Sequence, residues 1–279
     1  MTNPPTIAAL LSQATQRLQR DGDRGSAALD AQLLLAETMR MTRGSLVVHP
    51  ERPVDAHAHA RFEALVARRA AGEPLAYLVG RREFWSLDLE VTPDVLVPRP
   101  ETEHLIERAL ALLPATHARV VDLGTGSGAI ALALASERPA WQVSATDVSA
   151  AALEVARRNA ARHRLPVEFR QGSWYEPLAG ERFDLIASNP PYVAADDPAL
   201  AALRHEPRSA LTPGPDAFLS LEAIVRGAPA HLTPGGWLLL EHGSSQGPQV
   251  RAALVLAGMR HVRSHPDLAG HERVTEGQR

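Results

Sequence analysis

A chain of 279 residues, 45% hydrophobic and 22% charged, has the size of one large or two ordinary domains and the composition of a soluble globular protein. Its net charge of −3 provides no global basic field for nucleic acid. Cysteine and lysine are both absent, which removes disulfides, thiolate metal sites, cysteine nucleophiles, Schiff-base lysines and the Walker A lysine.

The first seventy residues read as helices. Residues 4–22 start with prolines and are expected to stop at Gly22. Residues 26–44 have Ser26 as candidate N-cap and Gly44 as a stop, with Leu29, Leu33, Ala36 and Met39 along one face. Residues 54–72 have Asp55 as cap and Gly72 as terminator. A small helical bundle is expected. The start "MTNPPTIAALLSQATQ" lacks the features of a signal peptide. A typical apolar run, "AIALALA", is far short of the ~18 residues a membrane span needs, so a cytoplasmic protein with no membrane partner is expected.

Residues 83–98 change character. Leu87, Leu89 and Val91 alternate with polar neighbours, as in a strand, and "PRPETE" leads into a helix near 101–113. From about residue 115 the pattern is strand, glycine loop, helix, repeated. "ARVVDLG", "WQVSATD", "PVEFRQG" and "RFDLIASNPPY" read as strands, and "SGAIALALASERP" and "SAAALEVARRNAARH" as helices. The helix "DAFLSLEAIVRGAPAHL" precedes the strand "GGWLLLEHG", and "MRHVRSHPD" with "HERVTEG" form a candidate closing antiparallel pair. Strands alternating with helices imply an α/β fold with a parallel sheet covered on both faces.

Gly124, Gly126 and Gly128 lie between a strand and a helix, where such sheets bind nucleotide-like ligands. Their spacing differs from the Gly-x-Gly-x-x-Gly of dinucleotide sites. Asp122 before the loop suits a cation better than a pyrophosphate, and Asp147 ends the next strand, where a carboxylate can accept ribose hydroxyls. The ligand that fits is S-adenosylmethionine, a nucleoside with a sulfonium charge and no phosphate; NAD is second. The twelve histidines are scattered, and neither the His261/His265 pair nor the His57/His59 pair has a carboxylate frame, so no metal is expected.

Asn189, Pro190, Pro191 and Tyr192 follow the fourth strand of this α/β unit. Two prolines fix two φ angles and remove two N–H donors, so the segment is stiff. An acceptor with a planar NH₂, an amide or an adenine, could give one N–H to the Asn189 oxygen and one to a neighbouring carbonyl, most simply that of Pro190. Those bonds would orient the nitrogen during attack, and Tyr192 could stack on the acceptor plane.

The chain resembles the PrmC/HemK family of protein N(5)-glutamine methyltransferases over nearly its whole length. The resemblance is carried by "GRREFWSLDLEVTPDVLVPRPETE", "DLGTGSGAIALALASERP", "SNPPY", "LLLEHG" and "ERVT". It implies a helical substrate-recognition domain over 1–75, a β-hairpin connector over 76–100, and a Rossmann-like class I methyltransferase domain over 101–279. It implies methyl transfer from S-adenosylmethionine to the glutamine of the Gly-Gly-Gln motif in peptide chain release factors, with S-adenosylhomocysteine as product. Cofactor contacts then fall on Gly124, Thr125, Gly126, Ser127, Gly128, Asp147, Trp174 and Asn189, and the glutamine site on Asn189, Pro190, Pro191 and Tyr192. Asn189, Pro190 and Tyr192 would carry catalysis. Two departures are Ser173, where the family often has Asp, and the ending "TEGQR". The alternative is an N6-adenine methyltransferase of DNA or RNA, which shares Asn-Pro-Pro-Tyr but wants a basic surface; no stable nucleic-acid partner is expected. A binding scaffold and a dehydrogenase are disfavoured by the intact Asn189–Tyr192 segment and by the loop spacing. Arg68, Arg69, Arg81 and Arg82 read either as a solvated face or as a partner contact.

Overall fold

A computed structural model describes residues 4–19 and 24–279. The chain forms two compact units, Met1–Gly80 and Arg81–Arg279.

In the first unit, α1 (Ile7–Leu18) begins where Thr6 accepts a hydrogen bond from the Ala9 N–H. The stop expected at Gly22 lies outside the described residues. α2 spans Arg24–Met39, so Ser26 sits within its first turn rather than at its cap. The helix ends because Arg40 turns to φ 52°, and the Thr42 hydroxyl then caps a separate α3 (Arg43–Val48). Gly44 is therefore inside a helix and not a stop. The inward face of α2 includes Ala27, Ala31, Leu34, Leu35, Ala36 and Thr38. Of the expected face, Ala36 is in the core and Met39 packs against it, whereas Leu29 is exposed, because the adjacent leucines at 34 and 35 widen the buried stripe to one side. α4 (Ala56–Ala70) starts as expected, with Asp55 accepting from the Ala58 N–H at 2.9 Å, and α5 (Leu75–Val79) ends at Gly80, φ 74°. Ile7, Leu10, Leu34, Leu35, Leu46, Phe62 and Val66 form the core.

The second unit opens with a hairpin, β1 (Arg81–Phe84) against β2 (Leu87–Glu90). Its two-residue turn, Trp85 and Ser86, has φ of 50° and 59° with no glycine to relieve it. Two carboxylates hold the turn: the Trp85 backbone N–H donates to Glu103 at 3.0 Å and its indole N–H to Glu137 at 2.8 Å. A 3₁₀ turn (Pro100–Thr102) then runs into α6 (Glu103–Leu112).

Seven strands follow: β3 (Arg119–Leu123), β4 (Gln142–Asp147), β5 (Val167–Gln171), β6 (Phe183–Ser188), β7 (Leu232–Glu241), β8 (Arg260–Pro266) and β9 (Glu272–Gln278). Their order is β5-β4-β3-β6-β7-β9-β8, parallel except that β9 runs antiparallel to both β7 and β8. The expected closing pair exists, and its last strand pairs as far as Gln278 with Trp237, so "TEGQ" belongs to the sheet. α7 (Ala129–Glu137), α8 (Ala150–His163) and α9 (Leu219–His231) are the expected helices. α10 (Gly247–Leu256) was not expected; it buries only Gly247, Val250 and Leu254, a stripe too thin to stand out in the sequence.

Alternation along the strands assigns the two faces. Val120, Leu185 and Leu239 pack with α6 and α7, while Val121, Ile186, Leu238 and Leu240 pack with α9 and α10. The carboxyl ends of the parallel strands are thereby left free to form a site. Among the described residues no helix is long and apolar enough to cross a membrane.

Candidate functional site

A cavity of about 380 Å³ opens at the carboxyl ends of β3, β4 and β6. One wall is the turn after β3. Gly124 and Gly126 have φ of 75° and 55°, and a Cβ on Gly124 would lie 3.2 Å from the Trp174 ring. Glycine is required there both by the left-handed backbone and by the close indole.

Most donors of this turn are already engaged. The Gly124 and Thr125 N–H groups both donate to the Thr146 carbonyl, at 2.8 and 2.9 Å. The Gly126 N–H donates to Asp147 Oδ2 at 2.9 Å. No row of free N–H groups is left for a pyrophosphate, unlike the anion-cradling loops of phosphate sites. The charge also has the wrong sign for one. Asp147 is largely buried beside the turn, and fully buried Asp122 lies beneath it, with Oδ2 accepting from the Thr125 hydroxyl at 2.6 Å. Burial pushes the Asp122 carboxyl up to about 7, against the Thr125 hydrogen bond, and its Oδ1 has no aligned partner. Burial also raises Asp147, opposed by hydrogen bonds from the Ser149, Gly126 and Val148 N–H groups. Carboxylates, glycines and one indole around an enclosed space fit a cationic nucleoside such as S-adenosylmethionine and not a dinucleotide.

Trp174 has φ 45°, which is rare for a bulky side chain. Its carbonyl accepts the Thr146 hydroxyl at 3.1 Å, fixing the strained loop to β4. Ser173 donates its N–H to Glu176 at 3.0 Å.

The opposite wall is built from β6 and two loops. Asn189 follows the last residue of β6, lines the cavity and donates its amide N–H to the Thr102 hydroxyl at 3.1 Å, which leaves its amide oxygen free to accept. Thr102 belongs to "PRPETE". Glu206 ties the rim together: its buried carboxylate accepts the Val97 N–H at 3.1 Å and pairs with Arg99. Residues on both sides of that clasp, Pro98, Arg99, Pro207 and Ala210, face the cavity.

Gly124, Thr125, Gly126, Ser127, Asp147, Trp174, Asn189 and Pro191 thus line one cavity. Three expected residues do not. Gly128 (φ 86°) packs on α8, where a Cβ would meet Ala156 at 3.2 Å. Pro190 is buried. The Tyr192 ring packs with the α9 side of the core and its hydroxyl donates to Glu241 at 3.2 Å, so in this structure it is not a stacking platform at the cavity. Of the four arginines, Arg68 pairs with Glu73, Arg69 with Asp30 and Arg81 with Asp88. Among the described residues, no three His, Cys, Asp or Glu side chains gather to hold a metal.

Sequence reasoning did not find Thr102, Asn159, Glu206 or Glu241. Asn159, fully buried on α8, accepts the Glu90 N–H at 2.7 Å and donates to the Glu90 and Ser127 carbonyls at 3.0 and 2.9 Å, joining the hairpin to the glycine turn. A polar residue on a helix face otherwise rich in alanine was the available signal.

Comparison with known proteins follows this division. The PrmC N-terminal domain matches residues 9–80 and the methyltransferase small domain matches residues 102–257. A release factor glutamine methyltransferase of Xylella fastidiosa is 52% identical over 98% of each chain. One of Vibrio cholerae is 47% identical over 98% of this chain and 96% of its own. Among solved structures, a methyltransferase from Pyrococcus furiosus superposes with a TM-score of 0.54 at 21% identity, covering 77% of this chain and 96% of that one.

Proposed function

Because the chain belongs to the family of release factor glutamine methyltransferases, we propose that it methylates the side-chain nitrogen of a release-factor glutamine, that of the Gly-Gly-Gln motif. S-adenosylmethionine, when bound, supplies an electrophilic methyl group and leaves as S-adenosylhomocysteine. Asp147 and the turn from Gly124 to Ser127 hold its nucleoside end, with Trp174 beside them.

The observation that carries the reading is the Asn189 amide, which lines the cavity beside the glycine turn and is held by its nitrogen, leaving its oxygen to accept. That oxygen accepts one N–H of the substrate amide and a backbone carbonyl of the neighbouring segment accepts the other. Both bonds strengthen as positive charge grows on the attacking nitrogen. The amide lone pair is delocalised, so orientation is what the site contributes most. After transfer the nitrogen carries an acidic proton that leaves to water, and no histidine is needed as base. Tyr192 contributes by supporting this segment from behind rather than by stacking. The helical unit reads the partner's surface, and the cytoplasm, where translation factors work, is the expected compartment.

The test is incubation of the protein with labelled S-adenosylmethionine and a purified release factor, the modified residue being mapped by mass spectrometry. A release factor reading Gly-Gly-Ala should take up no methyl group. Undiminished labelling of that variant, or robust labelling of free DNA or RNA, would overturn the reading in favour of another acceptor.

A further inference from the structure

Thr102 ends the 3₁₀ turn that runs into α6, with helical φ and ψ of −65° and −19°, and its side chain caps no backbone N–H. Its oxygen instead accepts the Asn189 amide N–H at 3.1 Å, and its hydroxyl favours the charged form of the Glu241 carboxyl, with no aligned hydrogen bond joining the two. Glu241 ends β7 and is 1% exposed. It also accepts the Tyr192 hydroxyl at 3.2 Å, while its Oε2 is left without an aligned partner. A carboxylate with so few donors is a costly thing to bury. "PRPETE", "SNPPY" and "LLLEHG", three segments far apart in sequence, thus meet in one polar cluster behind the cavity wall.

The cluster has a direction. An amide can be turned end for end with little change of shape, and Asn189 would then present N–H groups to a substrate that also offers N–H groups. Thr102 can prevent this only if its own hydrogen points away from Asn189, and the Glu241 carboxylate is the acceptor that draws it away. We propose that Thr102 and Glu241 are positioning residues that fix the amide orientation of Asn189, so that its oxygen meets the acceptor nitrogen. The inference rests on the proposed role of Asn189 in the transfer reaction.

Burial most strongly favours the neutral form of Glu241, and Glu101 acts the same way, while the Thr102 and Tyr192 hydroxyls and Arg273 favour the charged form. Acceptance requires the carboxylate, so the Thr102 hydrogen is drawn by the deprotonated form that prevails above about pH 7.

Steady-state methylation of a purified release factor by Thr102→Val, Thr102→Ser, Glu241→Gln and Asn189→Ala tests this, with S-adenosylhomocysteine affinity measured on each by calorimetry. Valine keeps the shape of threonine and loses the hydroxyl. Thr102→Val should lose on the order of 100-fold in kcat, the scale of a small misplacement of a reacting group, with KM for the release factor and cofactor affinity within about threefold of wild type, a ground-state tolerance consistent with a transition-state contact. Thr102→Ser should recover most of the lost kcat. Glu241→Gln can present an N–H to Thr102 and should show the same kcat-specific loss. Wild-type kcat in Thr102→Val, or equal damage from valine and serine, would overturn the role of Thr102, and undiminished kcat in Glu241→Gln would overturn that of the carboxylate. If Asn189→Ala itself turns over normally, the reading of the acceptor site fails instead, a result separable from the others.

Discussion

Glu241 should be expensive for stability as well as useful for orientation, and Glu241→Gln measures the expense. Burial pushes its carboxyl up to about 7 from an ordinary 4.5, against the Thr102 and Tyr192 hydroxyls. Below pH 4.5 the residue is protonated in both folded and unfolded chains and contributes no penalty. Between 4.5 and 7 the unfolded chain loses the proton and the folded one retains it, so stability falls as pH rises. Above about 7 the folded protein carries the full cost of the buried charge. The gap between 4.5 and about 7, at about 1.4 kcal/mol per pH unit, amounts to about 3 kcal/mol. Glutamine has the same shape and does not titrate. Wild type and Glu241→Gln share every other titrating group, Asp122 included, so the difference between them isolates Glu241. Urea denaturation at pH 5, 6, 7 and 8 should show the variant gaining on wild type across the series, by about 3 kcal/mol in the limit and by somewhat less over this range. A stability difference that is constant from pH 5 to pH 8 would refute the reasoning. The variant should then lose less stability toward alkaline pH while being the slower enzyme, as expected where a site holds a charge for function.

Other expected outcomes follow from single contacts. Asp147→Ala should weaken S-adenosylmethionine binding by on the order of 2–3 kcal/mol, the scale of charge-assisted bonds; because it also releases the Gly126 N–H, calorimetry on Asp147→Asn should show a smaller loss, and unchanged affinity in both would remove Asp147 from the cofactor site. Asn189→Ala should keep the fold and lose on the order of 10²–10³ in kcat, the scale of removing one electrostatic stabiliser of a transition state, as read from release-factor methylation at saturating substrate. Asn159→Ala deprives the Glu90 N–H of its acceptor and takes a donor from the Glu90 and Ser127 carbonyls, so chemical denaturation should show a loss of about 2–4 kcal/mol; a loss below about 0.5 kcal/mol would mean these bonds are replaced by water. Gly227→Ala places a Cβ 2.4 Å from the Tyr175 ring in the middle of α9, which should cost about 1–3 kcal/mol despite alanine's better helix propensity, and a stabilised variant would mean the ring moves freely.

Much of this protein follows from local chemistry, and the sequence shows it. Alternating apolar residues and glycine punctuation place β3 to β6 and α7 to α9, because a strand buried on both faces and a helix covering it each leave a period. Asp55 caps α4 because an aspartate before an apolar-periodic run has a nearby N–H to accept. The glycine turn, Asp147 and Asn189 lie at strand ends, and strand ends in a parallel sheet converge on one edge, so their meeting is legible in the chain itself. The misses share a different cause. Nothing local distinguishes Leu29 from Leu34; what decides is which neighbouring helix each one meets. Gly44 reads as a stop, and only the reversal at Arg40 puts it inside α3. Tyr192 is spelled like a stacking residue, but a carboxylate delivered from β7, 49 positions later, draws its hydroxyl inward. Thr102, Asn159 and Glu206 acquire their roles from partners at sequence separations of 69 to 109. A polar side chain is given a function by the donor or acceptor opposite it, and when that partner arrives from a distant segment only the packing of the sheet and its connections can supply it.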